Sequence, residues 1–322
     1  MQITAMHATS LVVFLIILAL PGLAGAELVT VTQAHMGMAV TLRIDADAGS
    51  EEQARHAAKL AFERVGQLNL IFSDYEPESE LNQLCRKAGS GPVPVSDELF
   101  EVLTASKALA ELSGGLLDPT AAPVIRIWRK ARRDRTMPDP AALQSALAKV
   151  GYANLKLDPA AKTAELTLAG MQLDLGSIAK GYVGDEAIGV LKAHGFGRAI
   201  FEAGGDMVAG DAPAGQAGWL VEPEGQPPGP GGQPPMRLAN EAMAISGASQ
   251  QVVEIDGKRV GHVIDPRSGE PISTRGVCLV RSPRGRDADP LATLGTLVGG
   301  DELNALLSAR FAESEARVWE IE

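Results

Sequence analysis

The stretch that decides the fold reads Asp174-Leu-Gly-Ser-Ile-Ala-Lys-Gly-Tyr182. An acidic residue closes an apolar segment, Gly-Ser forms a turn, and Lys180 stands at the start of a helical pattern. A second segment, Asp289-Pro-Leu-Ala-Thr293, separates a carboxylate and a hydroxyl by four residues, so both side chains can face one point. Together the segments offer oxygen ligands, backbone amides and a positive charge, which a hard divalent cation and a diphosphate require.

The Gly-Ser turn predicts an anion-binding site at the start of a helix. If Ser177 caps a helix that begins at Ile178, the free backbone amides and the helix dipole favour an anion there. Lys180 lies in the first turn, where a lysine opposes the dipole, and a bound phosphate or carboxylate would compensate for this. The alternative is a surface lysine paired with Asp185 or Asp174.

The Asp289–Thr293 segment predicts part of a magnesium site. Pro290 suits the first turn of a helix, which makes Asp289 a natural cap. A carboxylate and a hydroxyl form a partial ligand shell for magnesium, an ion that retains water molecules and also binds substrate phosphates. The alternative is an ordinary capped helix without a ligand.

His262 is the candidate for proton transfer. It lies at the end of a strand and precedes a turn that begins at Asp265-Pro266, so it is a fair candidate for an acid or base. A histidine with a structural role is the alternative. The sequence has no G-x-x-x-x-G-K-[ST] loop, no G-x-G-x-x-G after a strand and no G-x-S-x-G. P-loop, Rossmann and nucleophile-elbow sites are therefore not supported.

The N-terminus predicts export. Leu11 to Leu20 form an apolar run, which is followed by Pro21 and then by Ala24-Gly25-Ala26. A run of this length with a small-residue exit is typical of a cleaved secretion signal, so we assign residues 1–26 to a signal peptide and 27–322 to one catalytic domain. An uncleaved anchor is the alternative. The mature protein is expected in the periplasm, and association with the inner membrane is left open.

Composition limits the class of protein further. The chain has 322 residues, of which 45% are apolar, enough for the core of one large domain or two intimate lobes. A net charge of −11 argues against nucleic acid or an anionic membrane as a partner. Cys85 and Cys278 form either one bridge or two buried thiols, one on a helix and one on a strand. The Gly- and Pro-rich residues 224–235 predict a surface loop.

The periodicity along the chain predicts a mixture of helices and strands in irregular order, which indicates the α+β class. Helices are predicted at 51–69, 79–86, 97–112, 140–150, 178–194 and 290–298. Strands are predicted within 27–44 and at 164–168, 171–175, 198–202, 207–209, 219–222, 242–246, 252–255, 259–264 and 277–281. A hairpin turn is predicted at Asp256-Gly257.

The motifs of the chain occur in a characteristic order. They are Met36-Gly37, Ser73-Asp-Tyr75, Leu117-Asp-Pro-Thr120 with Trp128, Asp174–Gly181, Ala203-Gly-Gly-Asp206, Ser246-Gly247, His262–Pro266 and Asp289–Thr293. In that order they resemble the ApbE family, the FAD:protein FMN transferases, over roughly residues 30 to 300 of the chain. The resemblance implies a compact, two-lobed α+β unit related to the T-fold.

The resemblance also implies an activity and a set of site residues. Family members use magnesium and FAD, transfer FMN to a Ser or Thr hydroxyl of an exported or membrane electron-transfer protein, and release AMP. The implied magnesium ligands are the Ser177 carbonyl and the side chains of Asp289 and Thr293, and His262 matches the family's acid/base position. The implied FAD contacts are Met36, Tyr75, Leu116, Leu117, Asp118, Asp174, Lys180 and Ile264.

Several functional interpretations remain open at this stage. The implied partners are FAD and an acceptor protein with a Ser/Thr flavinylation motif, such as a quinone reductase or Rnf-type subunit or another exported flavoprotein. An FAD pyrophosphatase, with water as the acceptor, and a non-catalytic periplasmic flavin-binding protein are the alternatives. Ser246-Gly-Ala-Ser249 resembles the core of an acceptor sequence, so self-modification is a further hypothesis.

Overall fold

The computed structural model describes residues 26–222, 235–247, 252–272 and 276–320. Nearly all of the predicted signal peptide, nearly all of the Gly- and Pro-rich loop, and Ser249 lie outside these ranges, so the expectations placed on them stay predictions. Within the described ranges, no helix combines the length and the apolar character needed to cross a membrane.

Helices account for the larger part of the regular structure. Those in the described ranges are α1 (Glu51–Phe72), α2 (Glu80–Arg86), α3 (Asp97–Leu112), α4 (Ala122–Asp134), α5 (Pro140–Leu147), α6 (Ala179–Ala193), α7 (Gly285–Val298) and α8 (Gly300–Arg310). The sequence patterns identified all of them except α4 and α8. The α4 sequence contains five Lys and Arg residues, which obscured its apolar face.

The strands alternate irregularly with these helices, as the α+β prediction requires. They are β1 (Ala26–His35), β2 (Met38–Asp47), β3 (Val93–Pro94), β4 (Leu155–Asp158), β5 (Thr163–Leu166), β6 (Ala199–Ala203), β7 (Asp206–Ala209), β8 (Trp219–Val221), β9 (Met236–Leu238), β10 (Glu241–Gly247), β11 (Val253–Ile255), β12 (Lys258–Val260), β13 (Ile264–Asp265), β14 (Glu270–Pro271), β15 (Gly276–Ser282) and β16 (Glu315–Glu320). The expected hairpin forms between β11 and β12, and its turn residues Asp256 and Gly257 have φ angles of 50° and 74°, as a type I′ turn requires.

A seven-stranded antiparallel sheet forms the centre of the molecule, in the order β1-β2-β6-β7-β10-β15-β16. Helices α1, α6 and α7 pack together against it. Strand β2 shows the alternation that creates this packing, because Val40, Leu42 and Ile44 are fully buried while their neighbours are not. Burial of each such side chain contributes about 1.5–3 kcal/mol, so the helices that carry Lys180 and Asp289 lie on a well-packed base.

A second, smaller core forms around α4 and α5. Trp128, Val124 and Ile264 belong to it, together with residues of β11 and β12. The indole N–H of Trp128 donates to the Gly269 carbonyl at 2.7 Å, which ties α4 to the β13–β14 turn. The parts of the chain around these two cores are called the larger and the smaller lobe.

Some local predictions were wrong, each for a physical reason. Residues 171–175 form no strand. Only an isolated bridge joins Gln172 to Ala121, because the segment runs beside a loop rather than beside a strand. The Ser50-Glu-Glu-Gln53 sequence predicts a capping box at the start of α1, but the Ser50 side chain does not cap the helix; its hydroxyl donates to the Asp47 carbonyl instead.

The two cysteines are separate thiols. Cys85 lies on α2 and Cys278 on β15, and both are free. The Cys85 sulfur accepts a hydrogen bond from the Leu173 N–H at 3.3 Å. Burial raises the pKa of Cys278 to about 12, so this thiol is unreactive at neutral pH.

Candidate active site

Lys180 projects from the first turn of α6 into a largely buried cluster of carboxylates. Its ammonium lies 2.9 Å from Asp289 Oδ1, 3.1 Å from Asp206 Oδ2 and 3.2 Å from the Gly176 carbonyl. Both carboxylate side chains are less than a tenth exposed. The interpretation of Lys180 as a surface residue paired with Asp185 or Asp174 was therefore wrong.

Charge is unbalanced in this cluster, because one ammonium meets two carboxylates. Burial by itself lowers the pKa of Lys180, but Asp206 and Asp289 more than compensate and raise it above its ordinary value. Lys180 therefore stays protonated. Burial also raises the pKa of Asp206, and its Oδ2 atom receives no hydrogen bond of good geometry within the described residues. The cluster carries surplus negative charge when all three groups are ionised.

The start of α6 differs from the prediction. The helix begins at Ala179 with Ile178 as the cap residue, and no side chain caps it, so the predicted Ser177 cap was wrong. The N–H groups of Ile178 and Ala179 donate to the Leu175 carbonyl, and the Gly181 N–H donates to Asp289 Oδ2 at 3.3 Å. Few backbone amides of this turn are therefore free to bind an anion, and the positive charge of Lys180 is the main feature of the turn that would attract one.

Asp289 lies inside α7 rather than at its start. The helix begins four residues earlier at Gly285, so the predicted cap at Asp289 was wrong. The side chain is buried and contacts Lys180 and Gly181 of α6. The two helices approach each other closely here, since a Cβ added to Gly181 would lie only 1.9 Å from the Gly285 carbonyl oxygen. Thr293 follows one turn later, and its hydroxyl donates to the Asp289 carbonyl at 3.3 Å.

The oxygen atoms here suit a magnesium ion. Asp289, Asp206, the Thr293 hydroxyl and the Gly176 carbonyl are hard donors of the type that magnesium binds. Asp206 Oδ2, which lacks a hydrogen bond of good geometry, and the surplus negative charge of the ionised cluster are features that a bound cation would relieve. Among the described residues, no three His, Cys, Asp or Glu side chains form a metal-binding group, so an ion here would rely on carbonyl, hydroxyl or substrate oxygens as well.

Arg129 of α4 joins two further parts of the site. Its guanidinium pairs with Asp74, donates to Asp174 Oδ2 at 2.7 Å and lies over the Tyr75 ring, 4.8 Å from the ring centroid. Asp174 also accepts from the Gly176 N–H at 2.8 Å, so it fixes the turn that leads to Lys180. Two predicted FAD contacts, Tyr75 and Asp174, are thus held by one arginine.

Asp118, at the end of the Leu116–Asp118 loop, borders a cavity of about 330 Å³, which is also lined by Tyr152 and Arg267. The Asp118 carboxylate accepts hydrogen bonds from the Thr120 N–H and hydroxyl and from the Tyr152 N–H. Burial raises the pKa of Asp118, and these hydrogen bonds oppose the rise. The carboxylate thus shapes the loop, while Leu116 and Leu117 are largely buried.

His262 precedes β13 in the smaller lobe and is partly buried. Its Nδ1 atom is buried and has no hydrogen-bond partner among the described residues. Burial, Arg132 and Lys180 lower the pKa of His262 to about 4, so the ring is neutral at pH 7 and can accept a proton. Ile264, two residues later, is buried in the smaller core.

Met36 lies at the tip of the β1–β2 hairpin. It has a left-handed backbone with φ of 52°, and its side chain packs against the main core. The same hairpin reaches the Gly204-Gly205 turn, where a Cβ on Gly204 would lie 3.0 Å from Met38 Sδ. That turn leads directly into Asp206, so the hairpin tip lies at the end of the sheet that carries the cluster.

Two important residues were missed from the sequence. Asp206 was noted only as part of a Gly-Gly-Asp turn, and Arg129 belongs to the unpredicted helix α4. The recurrence of Arg126, Arg129 and Arg132 at three-residue spacing around Trp128 was the available signal, because this spacing gives the arginines a common side of a helix.

Comparison with known proteins agrees with this arrangement. Residues 36–318 match the ApbE family. The chain belongs to the ApbE family. A curated member from Treponema pallidum, named FAD:protein FMN transferase, is 34% identical over 269 residues, covering 78% of this chain and 74% of that protein. The family resemblance drawn from the motifs is thus confirmed, as is the expectation of an enzyme.

Solved ApbE structures share the fold. The apo form of the flavinyl transferase ApbE from Pseudomonas stutzeri is 25% identical, covers 94% of each chain and superposes with a TM-score of 0.78. The ApbE protein of Thermotoga maritima is 23% identical and shows the fold alone, with a TM-score of 0.79 over 92% of this chain and 97% of that protein. The α+β prediction is confirmed.

Proposed function

We propose that this ApbE-family chain transfers FMN from FAD to a Ser or Thr hydroxyl of an acceptor protein, with magnesium, and releases AMP. The observation that carries the proposal is the convergence of Lys180 and Asp289 beside the Gly176 carbonyl. This convergence places a cation and hard oxygen donors together, as a metal-bound diphosphate requires. Family membership and the name of the T. pallidum relative support FAD as the substrate.

Lys180 is proposed to hold the diphosphate of FAD. Its charge is permanent, because the neighbouring carboxylates keep it protonated. The remaining FAD contacts are proposed at Met36, Tyr75, the Leu116–Asp118 loop, Asp174 and Ile264. These residues come from both lobes, so the substrate would lie where the two cores meet.

Asp289, Thr293 and the Ser177 carbonyl are the proposed magnesium ligands. The buried position of Asp289 on α7 supports this role, and its Oδ1 lies 2.9 Å from the Lys180 ammonium. Bound magnesium would offset the negative charge of the diphosphate and of the AMP leaving group. Asp206 also pairs with Lys180, at 3.1 Å, and supplies further negative charge when it is ionised.

His262 is the proposed proton acceptor in the transfer step. The acceptor hydroxyl oxygen forms a bond to the FMN phosphorus, the phosphoanhydride bond to AMP breaks, and the hydroxyl proton moves to the imidazole. A pKa of about 4 makes His262 a weak base in the free protein. The anionic FAD diphosphate would raise this pKa toward neutrality, because a nearby negative charge favours the imidazolium.

The acceptor and the compartment are also proposals. The apolar N-terminal run supports export of the chain to the periplasm, where electron-transfer proteins with flavinylation motifs are suitable partners. The net charge of −11 does not favour nucleic acid.

The decisive experiment is an incubation of the mature chain with FAD, magnesium and a panel of exported acceptor domains. We expect protein-bound flavin fluorescence on a denaturing gel and one AMP for each flavin attached, with loss of both on adding EDTA. Free FMN with AMP but no labelled protein would instead establish a pyrophosphatase. Intact FAD after long incubation would contradict both activities and indicate a flavin-binding protein.

A further inference from the structure

Arg129 connects three segments that are distant in the sequence. It projects from the middle of α4 and contacts Asp74, Asp174 and the ring of Tyr75. The two carboxylates are only about a tenth exposed, whereas the arginine side chain is 32% exposed. The guanidinium therefore lies at the boundary between the protein interior and the candidate site.

The loop that carries Asp74 and Tyr75 has its own supports. Arg126 Nη2 lies 3.2 Å from the Asp74 carbonyl and 3.3 Å from Asn82 Oδ1. The Asn82 amide donates in turn to the Glu76 carbonyl at 2.8 Å. These bonds hold the loop backbone without Arg129, so loss of the Arg129 guanidinium should free the Tyr75 ring and Asp174 rather than unfold the loop.

Tyr75 is unusual among the large side chains, because 75% of it is exposed. The Arg129 guanidinium covers one face of its ring. A cation over an aromatic face is attracted to the ring and restricts its orientation. The exposed remainder of the ring is therefore a fixed, flat, apolar surface beside Asp174, suited to stacking with another planar ring.

Charge gives Arg129 a second effect. Burial and the neighbouring Asp174 raise the pKa of Asp74, and Arg129 opposes this rise. Without Arg129, two close carboxylates would face an anionic substrate with less counter-charge, because Arg126 would remain but both ion pairs would be lost. The guanidinium thus both restrains the tyrosine ring and reduces repulsion.

We propose that Arg129 is a positioning residue for FAD, which holds Tyr75 so that the open face of its ring stacks on a planar ring of FAD and holds Asp174 in place beside it. This inference rests on the proposed function. It goes beyond the proposed function because it assigns a role to Arg129, which acts on the substrate site through the side chains of Tyr75 and Asp174.

The test compares Arg129→Met and Arg129→Lys with the wild type in FAD titrations without magnesium or acceptor, followed by steady-state transfer. We expect Arg129→Met to raise both the Kd and the KM for FAD about tenfold, the size expected for loss of a charge-assisted interaction, with little change in kcat. Arg129→Lys should recover part of the affinity, since it keeps the charge but not the bidentate fork. Arg133→Gln is the matched control, because Arg133 lies on the same helix, is 73% exposed and pairs only with Asp134 among the described residues.

Titrations with FMN and with ADP identify the ring that stacks, because loss of affinity for FMN alone indicates the isoalloxazine and loss for ADP alone indicates adenine. A double-mutant cycle with Tyr75→Leu should show non-additive effects on the FAD Kd, since both changes disrupt one contact. Unchanged Kd in Arg129→Met, additive effects, or an equal fall in kcat without a change in KM would overturn the inference. If the wild type itself fails to bind FAD, the proposed function fails instead.

Discussion

Lys180 of α6 and Asp289 of α7 are 109 positions apart in the chain, and their side chains meet at 2.9 Å. The Gly181 N–H donates to the second oxygen of the same carboxylate at 3.3 Å. Asp289 is therefore attached to α6 by both a side chain and a backbone group. Any function that depends on this carboxylate depends on how closely the two helices approach.

Asp289→Asn should remove most of the transfer activity. The substitution keeps the size of the side chain but removes the negative charge that a cation would bind, and we expect kcat/KM to fall at least about 100-fold. Initial rates of flavin attachment at several magnesium concentrations measure this change. Partial recovery at high magnesium would locate the defect in metal affinity.

Asp301→Asn is the control for this prediction, because Asp301 is an exposed aspartate in the first turn of α8. It should transfer flavin at the wild-type rate. Near-normal transfer by Asp289→Asn with magnesium present would show that the metal assignment is wrong.

Gly181→Ala should separate α6 from α7. The added Cβ would lie 1.9 Å from the Gly285 carbonyl oxygen, a contact that only a shift of the backbone can relieve. We expect a loss of stability of about 2 kcal/mol or more, measured by urea unfolding. The rate of flavin transfer should fall even where the variant remains folded, because Asp289 moves with α7.

Gly189→Ala on the same helix supplies the matched comparison. No atom lies within 4 Å of a Cβ at Gly189, so alanine is accommodated and should stabilise the helix by about 0.5–1 kcal/mol through lower unfolded-state entropy. Equal effects of the two substitutions would show that helix propensity, not the α6–α7 contact, governs this position.

The order of elements was largely accessible from the sequence, because caps and apolar periodicity are local properties. A helix was predicted from Pro140, for example, and the Asp139 carboxylate caps it by accepting from the Ala141 and Ala142 N–H groups. The predicted helix start at Pro290 was wrong because that prediction used only local sequence. A proline is typical of a first turn, but Pro290 lies inside α7. The start of that helix is instead fixed by Asp185, a tertiary partner that local patterns do not reveal.

Only the site residues that lie in distinctive sequence motifs could be predicted. Lys180 and Asp289 were found because each lies in a distinctive segment, and the structure brings them together. Asp206 and Arg129 were missed because their importance comes from pairing across segments. Whether a given arginine meets a buried carboxylate depends on packing between lobes, which single-sequence patterns do not determine.

Asp185→Asn should weaken the connection between α6 and the start of α7. The two carboxylate oxygens accept from the Gly285 N–H at 2.7 Å and the Arg286 N–H at 3.0 Å. An amide can accept only one of these bonds and directs its NH₂ at the other donor, so we expect a loss of about 1–3 kcal/mol. Thermal unfolding measures it, with Asp287→Asn as the control, since Asp287 pairs with Arg284 near the surface of the same turn. Equal stability of Asp185→Asn and the wild type would show that these bonds contribute nothing.

His262 should make stability depend on pH in a defined window. Burial, with Arg132 and Lys180, lowers its pKa from 6.5 to about 4. Between these pH values the unfolded chain binds a proton at His262 that the folded chain does not. The contribution of neutral His262 to the free energy of unfolding is therefore fully present above pH 6.5 and decreases as the pH falls toward 4. Asp185, whose pKa burial raises to about 6, acts in the opposite direction, so only a comparison with a His262 variant isolates the histidine.

His262→Asn should therefore lose less stability than the wild type on going from pH 7 to pH 4, by on the order of 1–3 kcal/mol. Urea unfolding at half-unit pH steps measures the difference. The same variant should transfer flavin much more slowly at pH 7, by about 100-fold or more, because the proposed proton acceptor is gone. If the free energy of unfolding changes with pH in the same way for the variant and the wild type, His262 is solvated and titrates normally. Unchanged transfer would mean that another group, or water, takes the hydroxyl proton.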